Sequence, residues 1–373
     1  MEKYLNVVSF DVPYPANYGG VIDVFYKIKA LKKAGIKVIL HCFEYGRNTQ
    51  EELNKLAEEV HYYKRKKNPT QLLSGLPFIV KTRINQELKK NLLKNDYPIL
   101  FEGLHTCYLI QDPDFKERKK IFRESNIEHE YYRKLAEVES NKLKKRFFLS
   151  EAKKLEKFEA VLENADKLLI VSKEETKYFK KKFTPSKVFY LPSFHENDSI
   201  SSQKGFGKYI LYNGKLSVPE NESAAIFLIN EVFSKISYPV IIAGMDPPKS
   251  ILKSAEKFKN ITIIANPSSA DMHKLIQGAH LHCLYTHQAT GLKLKLLNVL
   301  FQGRHVLVNR NMTTGTTFNE ICFYAENPNE WIEEIEKIMR LEFTDIQLAK
   351  KTKELEPYQN HNQTKNLIKI IFD

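Results

Sequence analysis

Short runs of apolar, mostly β-branched or aromatic residues recur along the chain. Longer stretches with a helical period of apolar positions separate them. In the first half the runs are Leu5–Phe10, Lys37–Phe43, Val60–Tyr63, Ile99–Glu102, Lys119–Arg123, Leu168–Val171 and Val188–Leu191. In the second half they are Tyr209–Tyr212, Val240–Ala243, Ile261–Ala265, Leu281–Tyr285, His305–Val308 and Ile321–Tyr324. Continuous apolar runs of this length suit strands buried on both faces. The stretches between them predict helices over Val21–Lys33 (with Gly35 as its stop), Pro219–Ile236, Ala270–Gly278, Leu292–Gln302 and Pro328–Arg340. A long helical stretch is expected over Ile127–Asn164, and a last helix over about Thr364–Phe372, after Pro357. Strands alternating with helices imply parallel sheets built from βαβ units.

This rhythm occurs twice. The break is Pro192–Lys208, a polar stretch rich in Ser and Gly that reads as a linker. The expected organisation is two Rossmann-like doubly wound α/β domains, residues 1–192 and 209–355, with a linker at 193–208. A C-terminal helix in 356–373 crosses back to the first domain. Such sheets bind ligands beyond the carboxyl ends of their strands, so a ligand is expected in a cleft between the two domains.

Composition narrows the class. The chain has 373 residues, 42% of them hydrophobic and 28% charged, enough to bury a large core without staples. Disorder, collagen and a global coiled coil are excluded. Four cysteines at long spacings give neither a disulfide framework nor a zinc knuckle and fit a reducing cytoplasm. No apolar run nears the roughly 20 residues of a membrane span, and the N-terminal apolar run is too brief for a signal peptide. A net charge of +13 favours phosphate-bearing partners without choosing among them. The basic runs Lys64–Lys67 and Lys180–Lys182 flank aromatics, but no nucleic-acid-binding motif accompanies them.

Four segments stand where chemistry is expected. Asp11–Gly20 (DVPYPANYGG) joins the first strand to the first helix, and Gly19 and Gly20 allow close backbone approach to a phosphate or hydroxyl at the helix N-terminus. Asn213–Asn221 (NGKLSVPEN) follows the first strand of the second domain, where Lys215 can neutralise a diphosphate. In His287–Gly303 (HQATGLKLKLLNVLFQG) a helix is expected to begin near Gly291. Thr290 and Gly291 then stand at its N-terminus, Lys293 and Lys295 lie on its first turn, and Leu294, Leu297 and Leu300–Phe301 form its core stripe. Glu102 and His105 follow one strand, and Glu128 closely follows another. These groups are placed to bind an acceptor hydroxyl and take its proton. A structural histidine or a surface lysine is the alternative at each place. Asp112-Pro113-Asp114 and His280-Leu281-His282 have metal-like spacing with no further ligand nearby, so no metal site is expected. The chain has neither a GxGxxG fingerprint nor a Walker loop.

Taken in order, these segments resemble the two-domain GT-B glycosyltransferases, specifically the large family-four, or group 1, retaining enzymes. The resemblance covers nearly the whole chain. YNGKLSVPEN looks like the family's donor-diphosphate element. VIIAGMDPP looks like the following strand, which brings in Gly244. ITIIANPSSADMHKLIQGAHLHCLYT resembles the base-lining segment. ATGLKLKLLNVLFQGRHVLVN resembles the "GxKxKxLEAxaxGxPVV" signature, which brings in Leu292. PYPANYGG, NIEHEYYR and ADKLLIVSKEE resemble first-domain stretches of some members. Departures are present. Thr290 and Asn298 stand where the family has two glutamates, the second of which binds ribose. Lys215 replaces an Arg, a second basic residue is lost near Glu220–Asn221, and Ser125 replaces a His.

The resemblance implies retaining, metal-independent transfer of a sugar from a nucleotide-sugar, with no other cofactor. The acceptor is a glycan or lipid-linked molecule in cell-surface polysaccharide synthesis. Work on an anionic membrane surface at the inner face of the membrane is implied; nucleic acid is not. Lys215, Lys295 and the helix at Gly291 would stabilise the leaving diphosphate, and Glu102, His105 or Glu128 would orient the acceptor. The alternatives are a non-catalytic glycan-binding or partner protein of the same fold, and a nucleotide-sugar epimerase.

Overall fold

A computed structural model describes residues 2–66, 68–287, 293–316 and 318–373. The chain divides into two compact units, Met1–Phe194 with Asn360–Asp373, and His195–Gln359. The first holds β1 (Tyr4–Ser9), β2 (Lys37–Glu44), β3 (Glu59–Lys64), β4 (Ile99–Glu102), β5 (Lys120–Arg123), β6 (Lys167–Ile170) and β7 (Val188–Tyr190). The second holds β8 (Ile210–Lys215), β9 (Val240–Met245), β10 (Ile261–Ala265), β11 (Leu281–Leu284), β12 (His305–Val308) and β13 (Phe323–Tyr324). Every apolar run named above is a strand.

Both sheets are parallel, in the orders β3-β2-β1-β4-β5-β6-β7 and β10-β9-β8-β11-β12-β13. The order reverses between β1 and β4, and again between β8 and β11. At such a switch point the loops leave in opposite directions and a crevice opens at the strands' carboxyl ends. The central strands are apolar on both faces because helices cover both. In the first unit Val8, Phe101 and Phe122 pack on one side, and Leu5, Val7 and Leu100 on the other.

The helices refine the sequence reading. The first runs Gly19–Lys33 and so includes both glycines of the β1 loop. The stretch expected as one helix over Ile127–Asn164 is two helices, Glu128–Val138 and Lys142–Phe158, followed by a 3₁₀ segment at Glu159–Asn164. Asn141 makes the break: its side-chain oxygen accepts from the Leu143 and Lys144 amides at 3.0 and 3.2 Å, capping a new helix. The Pro219 helix changes pitch at Leu228–Val232.

The polar stretch after Phe194 packs within the second unit: Ser201 N donates to Phe301 O at 2.8 Å, and Ser202 Oγ to Gly303 O at 2.6 Å. The helix Asn360–Phe372 belongs to the first unit, with Leu367 and Ile371 buried. All four cysteines are free and buried. No described helix is long and apolar enough to cross a membrane.

Candidate functional sites at the two switch points

In the first unit the β1 loop is braced from within. Asp11 accepts from the Val12 amide at 2.8 Å and from the Tyr18 hydroxyl at 2.6 Å, while Arg47 donates to Pro15 O at 2.6 Å. The loop delivers Gly19 and Gly20 as the first turn of a helix that no side chain caps. A Cβ on Gly20 would lie 2.6 Å from Phe10 Cζ. Glycine there lets the helix N-terminus approach the end of β1, leaving backbone amides to face an anion or a hydroxyl.

His105 and Glu128 meet at the same end of the sheet. His105 stacks on Phe10 with ring centroids 5.3 Å apart. Its Nδ1 is buried without a hydrogen-bond partner among the described residues and lies 3.8 Å from Glu128 Oε1. Glu128 opens its helix and is 3% exposed; Ser125 Oγ donates to it at 3.2 Å. Burial pushes the Glu128 carboxyl up to about 7, against the pull of Ser125 and Arg83. Burial, and then the charges of Arg83 and Arg65, hold His105 well below its ordinary value. The result is a neutral imidazole beside a carboxyl poised to gain or lose a proton near neutrality, an arrangement suited to acid–base work on a hydroxyl.

Glu102 is engaged elsewhere. Both of its oxygens accept from Lys27 Nζ, at 2.7 and 2.9 Å, and both side chains are buried. Lys27 also donates to Asp23 at 2.9 Å, and Asp23 accepts from Arg123 at 3.0 and 3.1 Å. Arg123 and Asp23 continue to the backbone of Pro192 and Phe194. Sequence reasoning missed this four-charge network because lysine and arginine read as surface residues; the Asp23–Lys27 spacing of four on a helix was the available signal.

In the second unit Asn213, Gly214 and Lys215 close β8. Asn213 is buried with Oδ1 unpartnered among the described residues, and Lys215 is exposed. A Cβ on Gly244 would fall 1.8 Å from Gly214 O, so the β8–β9 register at Gly214↔Gly244 requires glycine. The helix expected near Gly291 begins at Leu294, with Lys293 at its N-cap in extended backbone. Its buried residues begin at Leu296. Thr290, Gly291 and Leu292 lie outside the described residues.

Lys295, at the second position of that helix, is half-buried. Its Nζ donates to Asn221 Oδ1 at 2.8 Å and sits 5.6 Å over the Tyr212 ring. Burial lowers its ammonium to about 8, opposed by Glu220. Asn221 was not foreseen as a site residue. It donates to Lys215 O at 3.0 Å while accepting from Lys295, so one amide ties the β8 turn to the cationic side chain. Asn298, one turn after Lys295, donates to Glu196 Oε1 at 2.7 Å and accepts from Asn197 at 3.0 Å. A carboxylate thus stands beside Asn298, brought by the chain segment entering the unit.

Of the residues with metal-like spacing, Asp112, Asp114 and His280 have other partners, while both ring nitrogens of buried His282 have none among the described residues. Asp112 and Asp114 both pair with Lys89 at 2.8 Å. His280 accepts from the Gly207 amide, and its other ring nitrogen lies 3.0 Å from Ile338 O. Among the described residues no cluster of three or more metal-ligating side chains occurs.

No family model matches the chain. A protein of Klebsiella pneumoniae, described as an uncharacterized 44.6 kDa protein in the cps region, is 26% identical over 349 residues, covering 84% of each chain. Among solved structures, a glycosyltransferase from Rickettsia africae ESF-5 matches with TM-score 0.63 and 14% identity over 100% of both chains. A mutant of S. aureus TarM in complex with Fondaparinux, alpha-GlcNAc-glycerol and UDP matches with TM-score 0.62 and 12% identity, again over 100% of both. The chain has the GT-B fold of these glycosyltransferases.

Proposed function

We propose that the protein is a glycosyltransferase. It moves a hexose from a nucleotide-sugar to a glycan or lipid-linked acceptor in capsule or other cell-surface polysaccharide synthesis. Transfer proceeds with retention, without a bound metal, at the inner face of the membrane. The observation that carries this reading is the Lys295–Asn221–Lys215 assembly at the switch point of the second sheet, on a fold whose solved relatives include sugar transferases. The cps-region relative supports the polysaccharide context.

In this reading the second unit takes the donor. Lys215 and Lys295 face the diphosphate, with Gly214 and Gly244 allowing its close approach. The helix N-terminus at Leu294, beside Lys293, adds positive potential as charge grows on the leaving group. Asn298 and the adjacent Glu196 carboxylate bind ribose hydroxyls. Thr290, Gly291 and Leu292 complete the donor site. In the first unit Gly19 and Gly20 offer amides to the reacting sugar or phosphate. His105 and Glu128 orient the acceptor hydroxyl, and the leaving phosphate itself takes the proton. Glu102 acts from behind, fixing Lys27 and the first helix.

Thermal unfolding with UDP, GDP, ADP, CMP and their sugars tests the donor site. A ligand of the folded state alone stabilises by about 2.7 kcal/mol at one hundred times Kd. A shift with one nucleotide family, followed by slow donor hydrolysis, is expected. No shift with any of them would remove the donor reading.

A further inference from the structure

Two arginines stand at the carboxyl edge of the first sheet with no acid paired to them. Arg83 lies in the turn after the short helix Phe78–Lys81 and is 5% exposed. Its hydrogen bonds run to neutral carbonyls: Nε and Nη2 donate to Phe10 O at 3.0 and 2.9 Å, and Nη1 donates to Ile79 O at 2.7 Å. Arg65 directly follows β3. Its guanidinium lies 4.3 Å from the centroid of the Tyr45 ring, one residue past β2. Its Nε and Nη2 donate to the hydroxyl of buried Thr82 at 3.2 and 2.8 Å, which draws it toward Arg83. Burial, and then the charge of Arg65, lowers Arg83 to about 9. Among the described residues no carboxylate lies within ion-pair distance of either arginine. The acids in electrostatic reach are otherwise engaged. Asp11 accepts from the Val12 amide and the Tyr18 hydroxyl and faces Arg47 at 3.6 Å, and Glu128 holds its proton up to about 7.

We propose that Arg65 and Arg83 bind an acidic group of the acceptor, a carboxylate or a phosphate, beside the hydroxyl that His105 and Glu128 orient. A buried guanidinium without a counter-charge is destabilising, and a like charge drawn toward it makes it more so. Solvation does not relieve Arg83, because it is buried; an arriving anion does. The planar fork of arginine meets either oxyanion at two points, and the Tyr45 ring sets the plane of the Arg65 fork. Phe10 links the pair to the reacting groups: its carbonyl accepts from Arg83 and its ring stacks on His105. On the acceptor role proposed for the first unit, on which this assignment rests, the substrate class is an acidic sugar or a sugar phosphate rather than a neutral sugar.

The test is titration of the full chain with methyl α-glucuronide, glucose 6-phosphate and neutral methyl α-glucoside, followed by saturation-transfer NMR. At least one acidic probe should bind more than about tenfold tighter than the glucoside. Preference for the glucuronide alone marks a carboxylate acceptor, and preference for the phosphate alone a phosphorylated one. Because Arg83 is buried, the variant is made at half-buried Arg65. Arg65→Gln should bring the acidic probes down to the level of the glucoside, with a cooperative thermal transition showing that the variant is folded. Lys253→Gln removes one charge from an exposed site of the second unit and should keep the preference. Equal loss in that control would reduce the effect to overall charge and overturn the proposal. So would equal binding of all three probes by the wild type, or full preference retained by Arg65→Gln. No nucleotide enters the measurement, so the donor reading and this one can each fail alone.

Discussion

At the residue scale, two side chains have been moved away from their ordinary proton affinities by burial, in opposite directions. Lys295 is a cation below about pH 8 and neutral above it. Its folded value is depressed, so the positive charge that the proposed function assigns to a diphosphate fades as pH rises through 8. Nucleotide affinity measured by calorimetry should therefore fall between pH 7 and 9 in the wild type, and Lys295→Met should be weak and flat across that range. In turnover, the same variant should lose about 100-fold, the scale of one preorganised charge at a developing anion. Glu128 runs the other way. Its folded value of about 7 lies above the ordinary 4.5, so the folded chain holds this proton more tightly than the unfolded chain does. The carboxyl costs nothing below pH 4.5 and opposes folding increasingly as pH rises to 7, by on the order of 3 kcal/mol. Glu128→Gln should thus gain stability relative to the wild type between pH 5 and 8 in denaturant titrations. A constant difference across that range would show that Glu128 ionises normally.

At the scale of elements, two glycines make unequal demands. At Gly244 the obstacle to a Cβ is the carbonyl of the neighbouring strand. Backbone in a central parallel pair does not move aside, so Gly244→Ala should cost more than about 3 kcal/mol and leave little soluble protein. At Gly20 the obstacle is the tip of the Phe10 ring, which a swing of the whole side chain can displace, so Gly20→Ala should cost about 1–3 kcal/mol and disturb His105, on which that ring stacks. Urea midpoints for the two variants will separate these cases. The same contrast explains what was legible beforehand. The strands were readable because a buried parallel strand is apolar along most of its length, as Val306–Val308 and Leu168–Ile170 are. Helix starts were less so. Gly19 rather than Val21 opens the first helix, and Leu294 rather than Gly291 opens the helix that carries Lys295, because helix starts depend on local caps and neighbouring loops as much as on hydrophobic period. Lys215 and Lys295 were visible as candidates. The amide of Asn221 between them was not, since a side chain that bridges a strand end and another helix has no periodic signature. Nor was the withdrawal of Glu102 into the Asp23–Lys27–Arg123 network, which exists only because the fold lays the first helix over β4 and β5.

At the scale of the whole molecule, the path of the chain matters as much as its two sheets. After the second unit it returns to the first as the helix Asn360–Phe372. Leu367 and Ile371 are fully buried there among Leu5, Val24 and Ile28. Gln363 donates to Ser193 O at 3.2 Å, and Lys3 lies 5.0 Å from the Phe372 ring. Each fully buried aliphatic side chain is worth roughly 1.5–3 kcal/mol, so the two together contribute about 4 kcal/mol, a large share of what a single domain commonly has. Removing residues 360–373 should weaken the first unit specifically. The protein carries its own reporter for this: the single tryptophan, Trp331, is fully buried in the core of the second unit. In the deletion variant the far-ultraviolet signal should begin to melt well below the Trp331 fluorescence transition. The fluorescence midpoint itself should stay near that of the intact chain. Coincident transitions at the wild-type temperature would show that the returning helix adds no stability. A fall in the Trp331 transition equal to that of the backbone signal would instead show that the two units unfold as one.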